Sequence, residues 1–324
     1  MCTAITFSNN HHYFGRNLDL EYSYLETVTI TPRNYPFYFR HTKPLTTHYA
    51  MIGMAYICDN YPLYYDATNE KGLSIAGLNF PKNADYKPFD TQKDNITPFE
   101  LIPWILGQCA TVQQTKELLV NLNLLNENFK EALPLSPLHW LVADQISSIT
   151  IECVKGGLNI YENPVGVLTN NPTFDMQLFH LNNYRNLSRN IPSNHFAPHL
   201  NLERYSNGMG GLGLPGDWSS QSRFVKATFT KLNSVCGTSE EENISQFFHI
   251  LGSVEHIRGC VAMDNDLYEI TLYSSCCNTD AGIYYYKTYE NSQISAVNMH
   301  KEDLDDNKII SYPLLNRQQI HLQN

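Results

Sequence analysis

The chain opens MCTAITFSNNHHYFGRNLD, residues 1–19. Residues 2–8 are β-branched and aromatic with a rough period of two. Asn9-Asn10 follows, and HHYFGRN resumes the pattern. This predicts a strand, a turn and a second strand. A cysteine directly after the first methionine, at the head of such a strand, has two readings. Cys2 is an ordinary small residue starting a buried strand, or, with Met1 removed, it carries a thiol and a free α-amino group on one carbon. A thiol has a reference pKa of about 8.5 and an α-amino group one of about 7.7–8.0. The amine is then partly neutral near neutral pH and within reach of the thiol proton, directly or through one water. Nucleophile and general base come from a single residue. This chemistry needs a buried, fixed N-terminus, which a strand starting at residue 2 supplies. FGRNLD adds Arg16 and Asp19 one hairpin away. A cation near sulfur favours the thiolate, and a carboxylate can orient the amine. Without Cys2, the pair would read as a surface salt bridge.

The 324 residues suffice for one large domain or two ordinary ones. With 42% hydrophobic and 17% charged residues, a sizeable core is expected. A formal net charge of −10 argues against nucleic acid, which needs a basic face, and against an anionic membrane surface. Eight cysteines, at 2, 58, 109, 153, 236, 260, 276 and 277, form no CxxC pair. They read as reduced thiols rather than a disulfide framework. No apolar run approaches the ~18 residues of a membrane span, and the first twenty residues lack a secretory layout, so the expected location is cytoplasmic.

Further along, strands are expected at residues 26–32, 51–57 and 72–80. Helices are expected over 97–109 and 111–122, the second capped by Thr111. Strands return at LHWLVAD, SSITIEC and VGVLTN, residues 138–144, 147–153 and 165–170. A helix is expected from about Ser219 through RFVKATFTKL, another over 240–254, and a final hairpin over 281–299 turning at Glu290-Asn291-Ser292. Long β-rich blocks separated by helical pairs suit a layered α+β fold. Strict βαβ alternation is missing.

Several other motifs lead nowhere. GLGLPG, residues 211–216, matches GxGxxG. Its preceding residues are polar and Pro215 opposes a helix start, so it reads as a turn-forming loop rather than a dinucleotide site. No HExxH spacing accompanies the twelve histidines, which read as scattered. No GxSxG elbow occurs. No metal and no cofactor is expected.

Taken together, MCTAITF, YFGRNLDLEYSY, NEKGLSIAGLNFP, GVLTNNPTFD, GLGLPGDWSSQSRF and YYYKTYENSQI resemble the choloylglycine hydrolase family, which contains bile salt hydrolases and penicillin V acylases. The likeness spans essentially the whole chain. It implies a single domain over residues 1–324 with Met1 removed. The implied fold is a four-layer αββα sandwich, two antiparallel sheets between helical layers, of the N-terminal-nucleophile type. By the same resemblance Cys2 is the nucleophile, flanked by Arg16 and Asp19. Asn79 and Asn170 hold the oxyanion-hole positions, and Arg223 is the remaining active-site arginine.

The implied reaction is hydrolysis of the amide between a bile acid and glycine or taurine, through a thioester on Cys2. In this reading Arg16 and Arg223 favour the thiolate and hold Asp19 in place. Asparagine at position 79 goes with bile salts, and tyrosine there with penicillin V acylases, which makes penicillin V or a related N-acyl amide the alternative. If Met1 stays, a non-catalytic binder of amphipathic acids is the other reading. Candidate walls for a steroid pocket are Leu18, Tyr22, Tyr24, Tyr56, Tyr65, Phe80 and the loop from Leu124 to Leu135. The only partner expected besides substrate is a second copy of the chain, in a homo-oligomer, a tetramer by resemblance.

Overall fold

The computed structural model describes residues 1–324. The opening stretch forms β1 (Cys2–Asn9) and β2 (His11–Leu20), paired antiparallel from Cys2↔Leu18 to Asn9↔His11. The chain turns at Asn10, whose φ of 60° is a left-handed conformation that asparagine tolerates. Next come β3 (Thr27–Thr31), β4 (Met51–Cys58), β5 (Tyr61–Asn69), β6 (Ser74–Asn79) and the short β7 (Asp94–Ile96). Helices α1 (Leu101–Leu106) and α2 (Val112–Leu119) precede β8 (Leu122–Leu124). The middle of the chain forms β9 (Leu138–Ala143), β10 (Ser148–Val154), β11 (Gly157–Glu162) and β12 (Val167–Leu168). Three helices follow, α3 (Phe174–His180), α4 (Ser220–Asn233) and α5 (Glu240–Gly252). The chain ends with β13 (Ile270–Asn278), β14 (Ile283–Thr288), β15 (Asn291–Asn298) and β16 (Ile310–Pro313).

Two antiparallel sheets carry the fold. One has six strands in the order β12-β1-β2-β13-β14-β15 and the other eight in the order β11-β10-β9-β6-β5-β4-β3-β16. Helices α4 and α5 pack on the first sheet, and α1 packs on the second. This is the α+β sandwich of two sheets between helical layers that the resemblance implied. Burial on both faces explains the nearly continuous apolar strands. Ala76 and Leu78 of β6 and Leu141 and Ala143 of β9 point into the core between the sheets. Their neighbours Ile75, Trp140 and Val142 point into a second core beneath α1 and α2.

The hairpin, the Thr111 cap and the last two helices form where the sequence places them. Thr111 accepts a hydrogen bond from the Gln114 amide, and Ser239 and Glu242 close a capping box at α5. Other expectations shift. The helix read over 97–109 shrinks to α1, because the Glu100 carboxylate takes the Thr97 amide at 3.0 Å and holds 97–100 as a turn. Leu122 leaves the second helix to pair β8 in parallel with β7. Only Val167 and Leu168 of the VGVLTN strand pair, and the last hairpin turns at Tyr289-Glu290, beginning one residue before the expected Glu290. β5, β7, β8, β11, β13, β16 and α3 were not anticipated. No helix begins within GLGLPG, since α4 starts at Ser220. The His195-x-x-x-His199 spacing lies in exposed chain without helix or strand, in keeping with scattered histidines.

Two packing features give measurable outcomes. A Cβ on Gly15 would lie 2.0 Å from the Ser275 carbonyl oxygen of β13, whereas one on Gly156 meets nothing within 4 Å. Gly15→Ala is expected to destabilise the fold by about 3 kcal/mol or more, and Gly156→Ala by under about 0.5 kcal/mol. Denaturant midpoints compare the two. The second feature is a pair of buried imidazoles, His12 and His256. Burial pushes both down from 6.5 to about 4, against the pull of Asp280 on His12 and of Asp19 on His256. The unfolded chain binds these protons as pH falls below 6.5, and the folded chain resists until about 4. Their contribution to stability is therefore complete above 6.5 and lost on acidification towards 4, by up to about 3 kcal/mol per histidine. Unfolding free energies of H12Q measured across that window should fall less steeply than those of the parent. Equal slopes would refute the assignment for His12.

Candidate active site

The N-terminal end of β1 lies inside the sheet, between β2 and β12. Met1 and Asp19 exchange both backbone hydrogen bonds, at 2.7 and 2.9 Å, so the Cys2 N–H and C=O face away from β2, towards the β12 side. There β12 has ended, because its ladder with β1 pairs only Ala4↔Leu168 and Ile5↔Val167. Side chains replace the missing strand. The Cys2 N–H donates to Asn170 Oδ1 at 2.9 Å, and the Cys2 carbonyl accepts from Arg223 Nη1 at 2.6 Å.

Arg223, in the first turn of α4, is fully buried and donates from all three guanidinium nitrogens. Nε donates to the Trp218 carbonyl at 2.9 Å, Nη1 also donates to Thr3 Oγ1 at 2.7 Å, and Nη2 donates to Asn170 Oδ1 at 2.7 Å. Ser220, the first residue of α4, holds the Asn170 amide at 2.8 Å. Burial lowers the Arg223 pKa, and Asp19, Cys2 and Asp217 counteract it.

Strand parity sorts the remaining residues. Cys2 and Arg16 project from one face of the β1–β2 hairpin, and Thr3, Asn17 and Asp19 from the other. Arg16 reaches across to the second sheet, where Nη1 donates to the carbonyls of Tyr65, at 3.0 Å, and Gly77. It fills the gap that opens where the β5–β6 ladder stops at Asp66↔Ala76. Burial alone would lower the Arg16 pKa, but Cys2, Tyr273, Asp66 and Asp19 hold it above the usual value. The Asp66 carboxylate is fully buried and accepts from the hydroxyls of Tyr273 at 2.8 Å and Tyr284 at 2.7 Å.

Asp19 lies on the helical side. The expectation that Arg16 holds it is therefore corrected, since the two project from opposite faces. Thr271 Oγ1 donates to Asp19 Oδ1 at 2.6 Å and accepts from the His256 amide at 2.8 Å. Asp19 Oδ2 has no hydrogen-bond partner in the chain and lies 4.0 Å from Arg223 Nη1 and 3.7 Å from His256 Nε2. The Met1 ammonium pairs with the buried Glu269. Burial lowers the pKa of this amine, Cys2 and Asp19 raise it, and Arg223 and Arg16 lower it.

Asn170 and Asn79 meet directly, with Asn170 Nδ2 donating to the Asn79 carbonyl at 2.7 Å. The Phe80 amide donates to Pro137, so by ladder alternation the Asn79 N–H points away from β9, on the side where Asn170 sits. One Asn170 amide hydrogen remains beside it.

The pocket candidates divide. Leu18 is buried opposite Cys2, and Phe80 is fully buried with its ring stacked on His139, so Phe80 packs behind the site and is no open wall. Tyr22 and Tyr24 are partly exposed and share a 3.0 Å hydroxyl contact, and Tyr24 lies 6.2 Å from the Tyr56 ring. Tyr65 and Leu135 are half-buried. Thr3, Asp66, Ser220, His256, Glu269 and Thr271 were not anticipated from sequence. Only Thr3 and Ser220 had a local signal, as neighbours of motif residues.

The family model for linear amide C–N hydrolases, choloylglycine hydrolase family, matches residues 2–312. The chain is 60% identical over 324 residues to a bile salt hydrolase/transferase of Lactiplantibacillus plantarum, covering 100% of both. It superposes on the C2A mutant of conjugated bile acid hydrolase from Clostridium perfringens with a TM-score of 0.93, at 37% identity and 100% coverage of each chain. Penicillin V acylase from Agrobacterium tumefaciens, 19% identical with a TM-score of 0.75 over 96% of this chain and 90% of that one, shares the fold. The chain belongs to the choloylglycine hydrolase family of linear amide hydrolases.

Proposed function

We propose that the protein hydrolyses the amide linking a bile acid to glycine or taurine, with Cys2 as nucleophile once Met1 is removed. The observation that carries this reading is the junction at Asn170 Oδ1, where the Cys2 N–H and Arg223 Nη2 converge at 2.9 and 2.7 Å. It fixes the backbone of residue 2 beside donors suited to an oxyanion. The 60% identity to a bile salt hydrolase/transferase supports the substrate class, as does asparagine at position 79.

In the proposed reaction the α-amino group of Cys2 takes the thiol proton, and the sulfur attacks the amide carbon. The tetrahedral oxyanion is held by the Asn79 N–H and the second hydrogen of Asn170 Nδ2. The C–N bond breaks as the ammonium gives its proton to the leaving nitrogen, which departs as glycine or taurine. Water, deprotonated by the same amine, attacks the thioester. The C–S bond breaks, bile acid leaves and the thiol returns. Arg223 and Asn170 fix the backbone of residue 2, and Asp19 Oδ2 is the acceptor offered to the freed amine. Arg16 supplies positive charge on the Cys2 face. Tyr22, Tyr24, Tyr56, Tyr65 and Leu135 are the proposed steroid contacts, whereas Leu124 ends β8 in the second core and is withdrawn from the pocket. A homotetramer in a bacterial cytoplasm belongs to the same reading, supported by eight unpaired cysteines and by the exposed Ile191, Phe196, Leu202 and Tyr205.

The test pairs intact mass with ninhydrin detection of amino acid released from conjugated bile salts. A mass lacking one methionine, release of glycine or taurine, and loss of release in Cys2→Ser are the expected results. Retained Met1 without release would defeat the reading in favour of a binding protein, and turnover of penicillin V alone would replace the substrate. Asn170→Ala is expected to lower kcat by ~10²–10³. A folded Asn170→Ala variant with parental kcat would remove Asn170 from the oxyanion site.

A further inference from the structure

Behind the two asparagines lies a buried pair that the proposed chemistry leaves unused. His139 on β9 and Glu152 on β10 are both fully buried, with His139 Nδ1 2.9 Å from Glu152 Oε1. On its other side His139 Nε2 is 2.8 Å from the carbonyl oxygen of Thr169, the residue before Asn170. A carbonyl oxygen carries no hydrogen, so Nε2 is the donor there. A further proton must then lie between Nδ1 and the Glu152 carboxyl. The pair is neutral as a whole, which suits its burial.

Its contacts reach both asparagine-bearing segments. The His139 ring stacks on Phe80, the residue after Asn79, with centroids 4.1 Å apart and planes 7° from parallel. Glu152 Oε1 also accepts from the Phe174 amide at 3.0 Å, at the start of α3. One pair therefore grips the chain beside Asn79, just before Asn170 and just after it. The 2.7 Å contact between Asn170 Nδ2 and the Asn79 carbonyl is spanned by this brace.

We infer that His139 and Glu152 are positioning residues that set the spacing of Asn79 and Asn170. For its effect on rate the inference rests on the hydrolase reading above. For its effect on geometry it does not.

The experiment combines kinetics and crystallography of the parent, H139Q and E152Q. A fall in kcat of roughly 10²-fold is expected, with KM changed by no more than about twofold, because the donors act on the transition state. The contact from Asn170 Nδ2 to the Asn79 carbonyl should lengthen beyond 2.7 Å in the variants. An unchanged contact overturns the inference. So does an unchanged kcat in an active parent, or a raised KM at parental kcat. If H139Q does not fold, E152Q keeps the side-chain shape and an acceptor for the Phe174 amide while withdrawing the charge, and it carries the same comparison. A parent that releases no amino acid from any conjugated bile salt would defeat the proposed function. The contact length would then decide the positioning role by itself, longer upholding it and unchanged overturning it.

Discussion

The structure depends on how a chain end is held in the interior. Fraying would be the ordinary fate of a first strand residue, because half its hydrogen bonds need a neighbour that a short strand cannot supply. Here β12 stops at Leu168, opposite Ala4 and two positions short of Cys2. The Asn170 amide group and the Arg223 guanidinium stand in as a ladder made of side chains, one accepting from the Cys2 N–H and the other donating to its carbonyl. A guanidinium suits this because its planar fork donates in several directions at once. Arg223 holds Cys2, Thr3, Asn170 and Trp218 together, so the position of residue 2 is tied to α4 as well as to the sheet.

Such an arrangement buries two cations, Arg16 and Arg223, around the start of the chain, and the hairpin keeps them apart by parity. Arg16 goes to the inter-sheet face, where Asp66 lies and the carbonyls of Tyr65 and Gly77 accept its protons. Arg223 meets the helical face, where Asp19 is the nearby carboxylate. Each buried charge thus has its own opposite charge and its own hydrogen bonds, the condition under which buried ions persist. A shift of one residue in the β1–β2 register would place Arg16 against the wrong partners and turn Cys2 away from the second sheet.

This also explains what the sequence could reveal. The β1–β2 hairpin, the caps at Thr111 and Ser239 and the start of α4 rest on contacts within a few residues, and these were legible. Cys2, Arg16, Asp19, Asn79, Asn170 and Arg223 were singled out because they sit inside short motifs that resemble a known family, and the fold gathers them around the start of β1. β5 and β13 were hidden for a physical reason. Their inner faces carry Asp66, Tyr273 and Ser275, polar groups that pair only across the sheets, so the strands lack a clean apolar alternation. Thr271, His256, Glu152 and His139 gain their meaning from partners brought near by folding, and nothing in their local sequence marks them. Phe80 shows the reverse error. Its place in a motif suggested a pocket wall, but strand parity turns it onto His139.

Parity also decides what removal of Met1 would do. The Met1 nitrogen faces β2 and lies against the Asp19 carbonyl and Glu269, while the Cys2 nitrogen faces Asn170. Excising one residue therefore moves the terminal amine from one side of the strand to the other, away from Glu269 and into the bonds of the Asn170–Arg223 junction. Nearby cations disfavour the protonated form of an amine, as Arg223 and Arg16 already do for Met1 after burial has taken the larger share. An amine that serves as a base must spend time neutral, and burial with two guanidinium groups works towards that state against the pull of Cys2 and Asp19. The side-chain ladder that fixes the terminus and the charges that tune its amine are then the same groups, which is why the hairpin register, the end of β12 and the first turn of α4 cannot be separated from the proposed chemistry.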